Sequence, residues 1–466
     1  MSKTIAARPR AVLVGVQLPG ITDADHAADL AELGRLVTTL GYETVATLTQ
    51  RRGGMGSGTV LGKGKLKQLA DLTGGPGVVA SGAADRTSKA REKWELEEEE
   101  EEEKAIALEE VPDAPPELAA GPKPTVVIVD HELSPSQLRN LEKATGAQVL
   151  DRTGVIVDIF HRHARSREAR MQVEIARLNY LAPRLRESAG RSERQQGRGS
   201  GDSAVELDRR KIRDRLAELK EGLAAVQQEQ DHRRYARRDQ LRVALVGYTN
   251  AGKSSLMRAL TGSEVLVADQ LFATLDTTVR ALHPETRPRI LVSDTVGFIK
   301  KLPHDLVASF RSTLDEALEA SLLLYVVDAS DPTCDAQLEV TKGVLKEIGA
   351  DTVPSLLLLN KADRLDPAAK QAVLARHPGA IVLSAHAPED AAALRQTVID
   401  FFESSMVEAE LVIPYARQGS IGDVYETARI VSETFDETGR KLRVRSVPAA
   451  IAKLVRAFGA GNNGVD

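Results

Sequence analysis

The stretch VALVGYTNAGKSS constrains this chain most, because it places the pattern G-x-x-x-x-G-K-S directly after an apolar run. In a strand–loop–helix unit, the glycines let successive backbone N–H groups face phosphates, and the helix N-terminus adds positive potential. We expect Lys253 to reach the β and γ oxygens and Ser254 to bind magnesium. The loop alone predicts a nucleoside triphosphatase or a small-molecule kinase. Its expected nucleotide-binding residues are Gly247, Tyr248, Thr249, Asn250, Ala251, Gly252, Lys253 and Ser254.

A second apolar run, PSLLLLNKAD, predicts which base the nucleotide carries. At the end of a strand, Asp363 can accept from guanine N1–H and from the exocyclic amine together, a pair of donors that adenine lacks. Asn360 is expected to bond the O6/N7 side of the base, and the later segment IVLSAHA to close over it. The order of these motifs therefore predicts guanine specificity. The expected base-binding residues are Asn360, Lys361, Ala362, Asp363, Ser384, Ala385 and His386.

Two segments between these motifs are expected to face the γ-phosphate and the metal. ILVSDTVG places Asp294 at a strand end, where it can hold magnesium through water, and Gly297 where its N–H can bond the γ-phosphate. In ADQLFATLDTTVR a threonine can bind magnesium through its hydroxyl, and we favour Thr274 over Thr277 and Thr278. The further contact residues are Phe272, Ala273, Leu275, Asp276, Thr295 and Val296. The predicted catalytic residues are Lys253, Thr274 and Gly297, and the predicted metal ligands are Ser254, Thr274 and Asp294.

The residue after Gly297 is unusual for a GTP hydrolase. That position often holds a glutamine that orients the attacking water, whereas this chain has Phe298. Phosphoryl transfer depends mainly on positioning and charge stabilisation, so Lys253, magnesium and the Gly297 N–H can still give slow turnover. The sequence therefore predicts a hydrolase that waits for a partner to supply the missing element.

The chain of 466 residues is long enough for about three domains. Strand and helix patterns predict a multidomain α/β protein with a helical hairpin in its N-terminal part and a small C-terminal α+β domain. The predicted boundaries are 1–164 for the N-terminal α/β domain, 165–239 for the two-helix hairpin, 240–404 for the nucleotide-binding domain and 405–466 for the C-terminal domain. An acidic insertion at about 84–122 interrupts the first of these.

Charge is distributed unevenly along the chain. The net charge is −5, but residues 92–117 alone carry 13 acidic and 2 basic residues, so the remainder is mildly basic. Residues 188–204, SAGRSERQQGRGSGDSA, are glycine-rich and basic, and arginine next to glycine can approach phosphates closely. The hairpin tip is therefore a candidate contact for RNA, with a plain solvated coiled coil as the alternative.

Cysteine content and hydropathy limit the cellular compartment in which the protein is expected. A single cysteine, Cys334, excludes an internal disulfide framework, which suits a reducing cytoplasm. No run approaches the roughly 18 apolar residues that a membrane helix needs. We therefore expect a cytoplasmic protein, with peripheral membrane association left open. We also expect a monomer.

The chain resembles the HflX family of ribosome-associated GTPases over most of its length. The resemblance rests on LGKGKL near Gly62, on the long block from Leu133 to Leu185, on ELDRRKI at Glu206, and on GYTNAGKSSL, LFATLD and DTVGFI. It implies a P-loop GTPase domain, an N-terminal α/β domain with a helical hairpin, and GTP and Mg²⁺ as substrate and cofactor. It also implies that Thr274 supports magnesium. Thr277 stands where the family commonly has proline, and the acidic insertion is absent from the family core.

Function follows from the same resemblance. It implies a GTP hydrolase that binds the large ribosomal subunit (50S) and its rRNA, separates stalled or stress-inactivated 70S ribosomes, and turns over faster on the ribosome. Two alternatives remain at this point. One is a GTPase of ribosome assembly or tRNA modification, and the other is a GTP-gated RNA-binding module whose turnover is incidental.

Overall fold

The computed structural model describes residues 8–56, 58–79, 121–189, 204–236, 240–263, 271–272, 275, 277–302, 311–437 and 439–458. Residues 84–120 of the acidic insertion and residues 190–203 of the hairpin tip lie outside these ranges. Two compact units are present. The first comprises Met1–Ala164, Arg170–Lys220 and Leu302–Leu306, and the second comprises Arg165–Ala169, Glu221–Lys301 and Val307–Asp466. The predicted multidomain α/β fold class is confirmed.

The first unit is built on a parallel four-stranded sheet with the strand order β2-β1-β3-β4. Its strands are rich in buried valine and leucine, as expected when helices cover both faces of a parallel sheet. The strands are β1 Arg10–Gln17, β2 Glu43–Arg51, β3 Val126–Val129 and β4 Gln148–Asp151. The helices around the sheet are α1 Asp23–Thr39, α2 Lys63–Thr73, α3 Pro135–Thr145 and α4 Arg152–His163.

Local sequence explains where these helices begin. Ser134 and Gln137 form a reciprocal capping box at the start of α3, followed by a proline in its first turn. Asp151 caps α4 by accepting from the N–H of Gly154 at 2.7 Å. Two long helices follow, α5 Arg167–Ala189 and α6 Ala204–Ala236.

A buried carboxylate fixes α5 to the sheet domain. Asp151 is fully buried, and besides capping α4 it accepts from the hydroxyl of Tyr180 at 2.7 Å and from the guanidinium of Arg184 at 2.8 Å. The N–H of Leu133 donates to it as well, at 3.1 Å. The guanidinium of Arg184 also lies 3.3 Å from the Tyr180 ring centre. These contacts hold the C-terminal half of α5 against the first unit.

The second unit contains a six-stranded sheet with the order β10-β9-β8-β5-β7-β6, parallel except for β6. The strands are β5 Leu241–Gly247, β6 Thr278–Ala281, β7 Ile290–Asp294, β8 Leu322–Asp328, β9 Ser355–Asn360 and β10 Ile381–Val382. The helices are α7 Lys253–Thr261, α8 Arg311–Leu318, α9 Cys334–Glu347, α10 Pro367–Arg376 and α11 Pro388–Ser404. A single apolar core joins β5, β7 and β8 to α7 and α11.

A three-stranded antiparallel sheet completes the second unit. Its order is β11-β13-β12, and one face packs on the last helix through Leu411, Leu442 and Leu454. The elements are β11 Val407–Ile413, α12 Ile421–Thr427, β12 Arg429–Asp436, β13 Gly439–Ser446 and α13 Pro448–Phe458. The arrangement is an α+β unit of the kind that the sequence predicts.

Candidate functional site

The carboxyl ends of the parallel strands bring the predicted residues to one edge of the six-stranded sheet. β5 ends at Gly247, β7 at Asp294 and β9 at Asn360, and ligands of open α/β sheets bind beyond such ends. After β5 the chain turns with Asn250 and Gly252 in the left-handed region, at φ of 61° and 97°. α7 then begins at Lys253, so its N-terminal N–H groups face the loop.

Lys253 lies inside the loop. Its ammonium group donates to the carbonyl oxygens of Gly247 at 3.0 Å and Tyr248 at 2.8 Å, and the side chain is buried. Burial lowers its pKa to about 8, although the nearby carboxylate of Asp294 acts in the opposite direction. Phosphate charge close to this ammonium group would favour its protonated form.

Ser254 and Asp294 form the oxygen pair expected for a cation. The hydroxyl of Ser254 donates to Oδ2 of Asp294 at 2.6 Å, and Asp294 is fully buried. Hydroxyl and carboxylate oxygens are suitable ligands for Mg²⁺, which takes few protein ligands and keeps the rest of its shell for water and phosphate. Within the described ranges, no group of three histidine, cysteine or carboxylate side chains is placed to hold a metal.

The segment after Asp294 is hydrogen-bonded to the phosphate loop. Thr295 donates through its hydroxyl to the carbonyl oxygen of Leu245 at 2.7 Å. The N–H of Phe298 donates to the carbonyl oxygen of Gly247 at 3.1 Å, and the N–H of Thr249 donates to that of Phe298 at 2.7 Å. The phenyl ring of Phe298 is buried, with 2% of the residue exposed, so the residue in the usual glutamine position faces the core.

The residues predicted to bind the base form a second cluster at the same edge. Asn360 donates through its amide to the carbonyl oxygen of Ala251 at 2.8 Å and accepts from the N–H of Ala385 at 3.0 Å. Ser384 donates to Oδ1 of Asp363 at 2.6 Å. That hydrogen bond lowers the pKa of Asp363, so its carboxylate stays ionised and able to accept. Asn360 thereby links the phosphate loop to the loop that holds Ser384.

Two supporting residues were missed by sequence reasoning. Asp328, at the end of β8, forms an ion pair with Lys361 at 2.7 Å. Asp390, in the first turn of α11, accepts from the N–H of Ser384 at 2.7 Å. Both are acidic residues at element ends, and the position at the end of an apolar strand was the available signal for Asp328. Asp390 carries no local signal, because its role depends on where α11 packs.

The structure locates most of the remaining predicted residues. Thr278 opens β6 and pairs with Asp294 in the antiparallel ladder, and Thr277 precedes it. Val296, Leu275 and Ala362 are buried, Ala385 is half-buried and His386 is exposed. Ala273, Thr274 and Asp276 lie outside the described residues. The Ser254–Asp294 pair and the cluster around Asn360 thus lie at one edge of the sheet.

Helix length and hydropathy indicate whether a helix could span a membrane. Among the helices that the structure describes, none is long and apolar enough to cross a bilayer.

Comparison with known proteins places these features in a family context. Three family models match the chain: the GTP-binding GTPase N-terminal model at 27–79 and 108–161, the GTP-binding GTPase middle-region model at 163–237, and the 50S ribosome-binding GTPase model at 242–361. The crystal structure of SsGBP with GDP aligns at 21% identity and a TM-score of 0.44, covering 84% of this chain and 98% of its own.

Two curated proteins match at nearly full length. A protein from Gluconacetobacter diazotrophicus named GTPase HflX is 68% identical over 452 residues, which are 97% of this chain and 98% of that protein. A GTPase HflX from Caldanaerobacter subterraneus subsp. tengcongensis is 34% identical over 458 residues, covering 97% of this chain and 94% of that protein.

Proposed function

Because the chain belongs to the HflX family of GTPases, we propose that it uses GTP hydrolysis to separate stalled or stress-inactivated 70S ribosomes after binding the large subunit. The observation that supports the nucleotide part of this proposal best is the link from Asn360 to Ala251, which joins a guanine-reading cluster to a phosphate loop. The protein is proposed to act in the cytoplasm, where ribosomes are found, and as a monomer.

The chain's own residues account for GTP binding. N–H groups from the phosphate loop and the start of α7 bond the phosphates, and Lys253 turns its ammonium group from the loop carbonyls toward the β and γ oxygens. Asp363 accepts from the guanine N1–H and amine, while Ser384 keeps that carboxylate ionised and oriented. The Gly297 N–H bonds the γ-phosphate and holds it in line for attack by water.

The residues also fit a magnesium ion. Ser254 and Asp294 would hold it, with Thr274 as the third predicted ligand. When bound, Mg²⁺ neutralises negative charge that develops on the β- and γ-phosphate oxygens. Asp294 is fixed for this task at the end of β7, between the backbone partners of that strand.

Turnover is proposed to be slow until the ribosome is bound. The phenyl ring of Phe298 is buried and has no hydrogen-bonding group, so it cannot orient water as a glutamine amide would. An element that orders on the ribosome, either a rearranged segment of this chain or an rRNA group, is expected to complete the site. This dependence would confine hydrolysis to the complex in which it is useful.

The hairpin supports the ribosomal part of the proposal. α6 exposes the cationic side chains Arg210, Lys211 and Arg213, of which Lys211 also pairs with Asp208, and such side chains suit a phosphate backbone. The family model that matches 242–361 is described as a 50S ribosome-binding GTPase, and we extend that partner to this chain. Charge on α6 would contact rRNA while the GTPase domain reads the nucleotide.

Turnover and ribosome state can be measured together. GTP hydrolysis is followed with no ribosomes, with 50S subunits and with 30S subunits, and 70S ribosomes are analysed on sucrose gradients with GTP or a non-hydrolysable analogue. We expect stimulation by 50S but not by 30S, comigration with the analogue, and loss of the 70S peak. Lys253→Ala should abolish these effects.

Other outcomes of this experiment would redirect the proposal. Comigration with assembly precursors but not with mature 50S would favour a role in ribosome assembly. A wild-type splitting effect from Lys253→Ala would favour a binding module whose turnover is incidental. No comigration and an unchanged 70S peak would refute the ribosomal function.

A further inference from the structure

We propose that Thr249 is a positioning residue for GTP hydrolysis. Its side chain bonds Phe272, and its backbone bonds the Gly297–Phe298 segment. This inference rests on the proposed GTPase site and deepens it. Thr249 lies in the phosphate loop and is buried. Its task would be to keep two segments of the chain, distant in sequence, in one arrangement around the reacting phosphate.

The first contact is made by the Thr249 side chain. Its Oγ1 accepts a hydrogen bond from the N–H of Phe272 at 2.9 Å, and both residues are buried. Phe272 has a φ of 58°, in the left-handed region that a bulky side chain rarely adopts. Such a conformation persists only when surrounding contacts hold it. The hydrogen bond to the Thr249 hydroxyl is one of the contacts that hold Phe272 in this conformation.

The second contact is made by the Thr249 backbone. Its N–H donates to the carbonyl oxygen of Phe298 at 2.7 Å, in a bridge that pairs the phosphate loop with the segment after β7. Gly297 packs so closely that a Cβ there would lie 2.7 Å from the Cα of Thr249. The position of the Gly297 N–H is therefore tied to the position of Thr249.

The two contacts use different parts of the same residue, which makes them separable by mutation. The backbone bond to Phe298 survives any side chain at 249 that preserves the loop, whereas the bond to Phe272 needs a hydroxyl. Valine keeps the shape of threonine but leaves the buried Phe272 N–H without this acceptor. Serine keeps the hydroxyl and removes only a methyl group.

Three variants test the inference: Thr249→Val, Thr249→Ser and Thr341→Val. Thr341 is the matched control, since it is a buried threonine of α9 whose hydroxyl donates to the carbonyl oxygen of Gln337 at 2.9 Å, away from the site. Single-turnover GTP hydrolysis is measured with and without 50S subunits, together with the KM for GTP, the affinity for a fluorescent GDP, and thermal unfolding.

We expect Thr249→Val to hydrolyse GTP about 10-fold more slowly, the effect of one buried hydrogen bond on a barrier, with GDP affinity within about twofold of wild type. Thr249→Ser should recover most of the rate, and Thr341→Val should keep it. Wild-type hydrolysis by Thr249→Val, or an equal loss in Thr249→Ser, would overturn the inference. A loss of GDP affinity equal to the loss of rate would also overturn it, because the residue would then only shape the binding loop.

The same measurements distinguish failure of the ribosomal role from failure of the positioning role of Thr249. If wild type hydrolyses GTP but 50S subunits do not stimulate it, the ribosomal role fails while the comparison of the Thr249 variants remains valid on basal turnover. If the ribosomal role holds and all three variants match wild type, the positioning role alone fails.

Discussion

The side-chain amide of Asn360 donates to the carbonyl oxygen of Ala251 at 2.8 Å and thereby joins the end of β9 to the phosphate loop. The same side chain accepts from the N–H of Ala385 at 3.0 Å. A single buried residue thus supports three segments that have no proximity in sequence.

Replacing Asn360 with alanine should weaken the binding of every guanine nucleotide. It removes two buried hydrogen bonds and leaves the partner groups unsatisfied, so we expect GDP and GTP affinity to fall by roughly 10- to 100-fold. Titration with fluorescent GDP and GTP measures this. Gln396→Ala, an exposed amide on α11, should leave both affinities unchanged. Equal affinity in Asn360→Ala and wild type would show that the tether is dispensable.

Gly252→Ala should abolish nucleotide binding. Gly252 has a φ of 97°, and a Cβ on it would overlap the amide nitrogen of Asn360, so the loop and its tether cannot both keep their positions. We expect GDP affinity to fall by at least about 100-fold, measured by calorimetry. Gly343→Ala is the control, because this glycine of α9 faces open space, and alanine there should stabilise the helix by roughly 0.5–1 kcal/mol.

Asp363→Asn should change the base that the site accepts. In the proposed site the carboxylate would accept from two guanine donors, whereas an amide would offer one acceptor and one donor, which suits the additional carbonyl of xanthine. We expect GTP affinity to fall by roughly 100-fold and xanthosine triphosphate to bind better than GTP, in competition assays. Asp366→Asn keeps an effective cap on α10 and should retain guanine preference. Unchanged preference in Asp363→Asn would exclude Asp363 from base recognition.

Phe298→Gln should destabilise the protein without accelerating basal turnover. The ring is buried, so an amide at this position loses its water and costs about 1–3 kcal/mol of unfolding free energy. Phe298→Leu keeps an apolar side chain and should cost less. Chemical unfolding and basal GTP turnover measure both effects. Faster basal turnover in Phe298→Gln would instead show that a side chain at 298 can leave the core and reach water near the phosphate.

Asp151→Asn should loosen the attachment of α5. The amide NH₂ would replace an oxygen that accepts hydrogen bonds, and Arg184 would lose its buried countercharge. We expect a loss of about 3–5 kcal/mol in unfolding free energy, measured with denaturant. Asp208→Asn removes an exposed carboxylate of α6 that pairs with Lys211 and should change stability by less than about 1 kcal/mol. A similar small effect at Asp151 would mean that the buried network contributes little.

Sequence patterns predicted the fold class because each motif is local. Strand runs before Gly247, Asp294 and Asn360 are short and apolar, and parallel strands bring their ends to one edge. The capped starts of α3 and α4 likewise follow from neighbouring residues. The same local information named the residues that lie around the candidate nucleotide site.

The remaining contacts depend on packing between distant segments. Nothing near Arg152 in the sequence shows that its guanidinium is buried between Glu32 and Asp130. The bond from Phe272 to Thr249 and the core position of the Phe298 ring are also long-range results. The sequence alone shows that an aromatic residue occupies position 298, but it cannot show that its ring is buried.

The four hydrogen bonds that meet at Asp151 make one carboxylate a shared anchor for α4, α5 and the segment before α3. Tyr180 and Arg184, in the C-terminal half of α5, bond the same carboxylate that caps α4. Because these bonds share one acceptor group, a displacement of that part of α5 strains all of them together. The C-terminal half of α5 and the start of α4 should therefore come apart together rather than one after the other, for instance in hydrogen exchange of their backbone N–H groups.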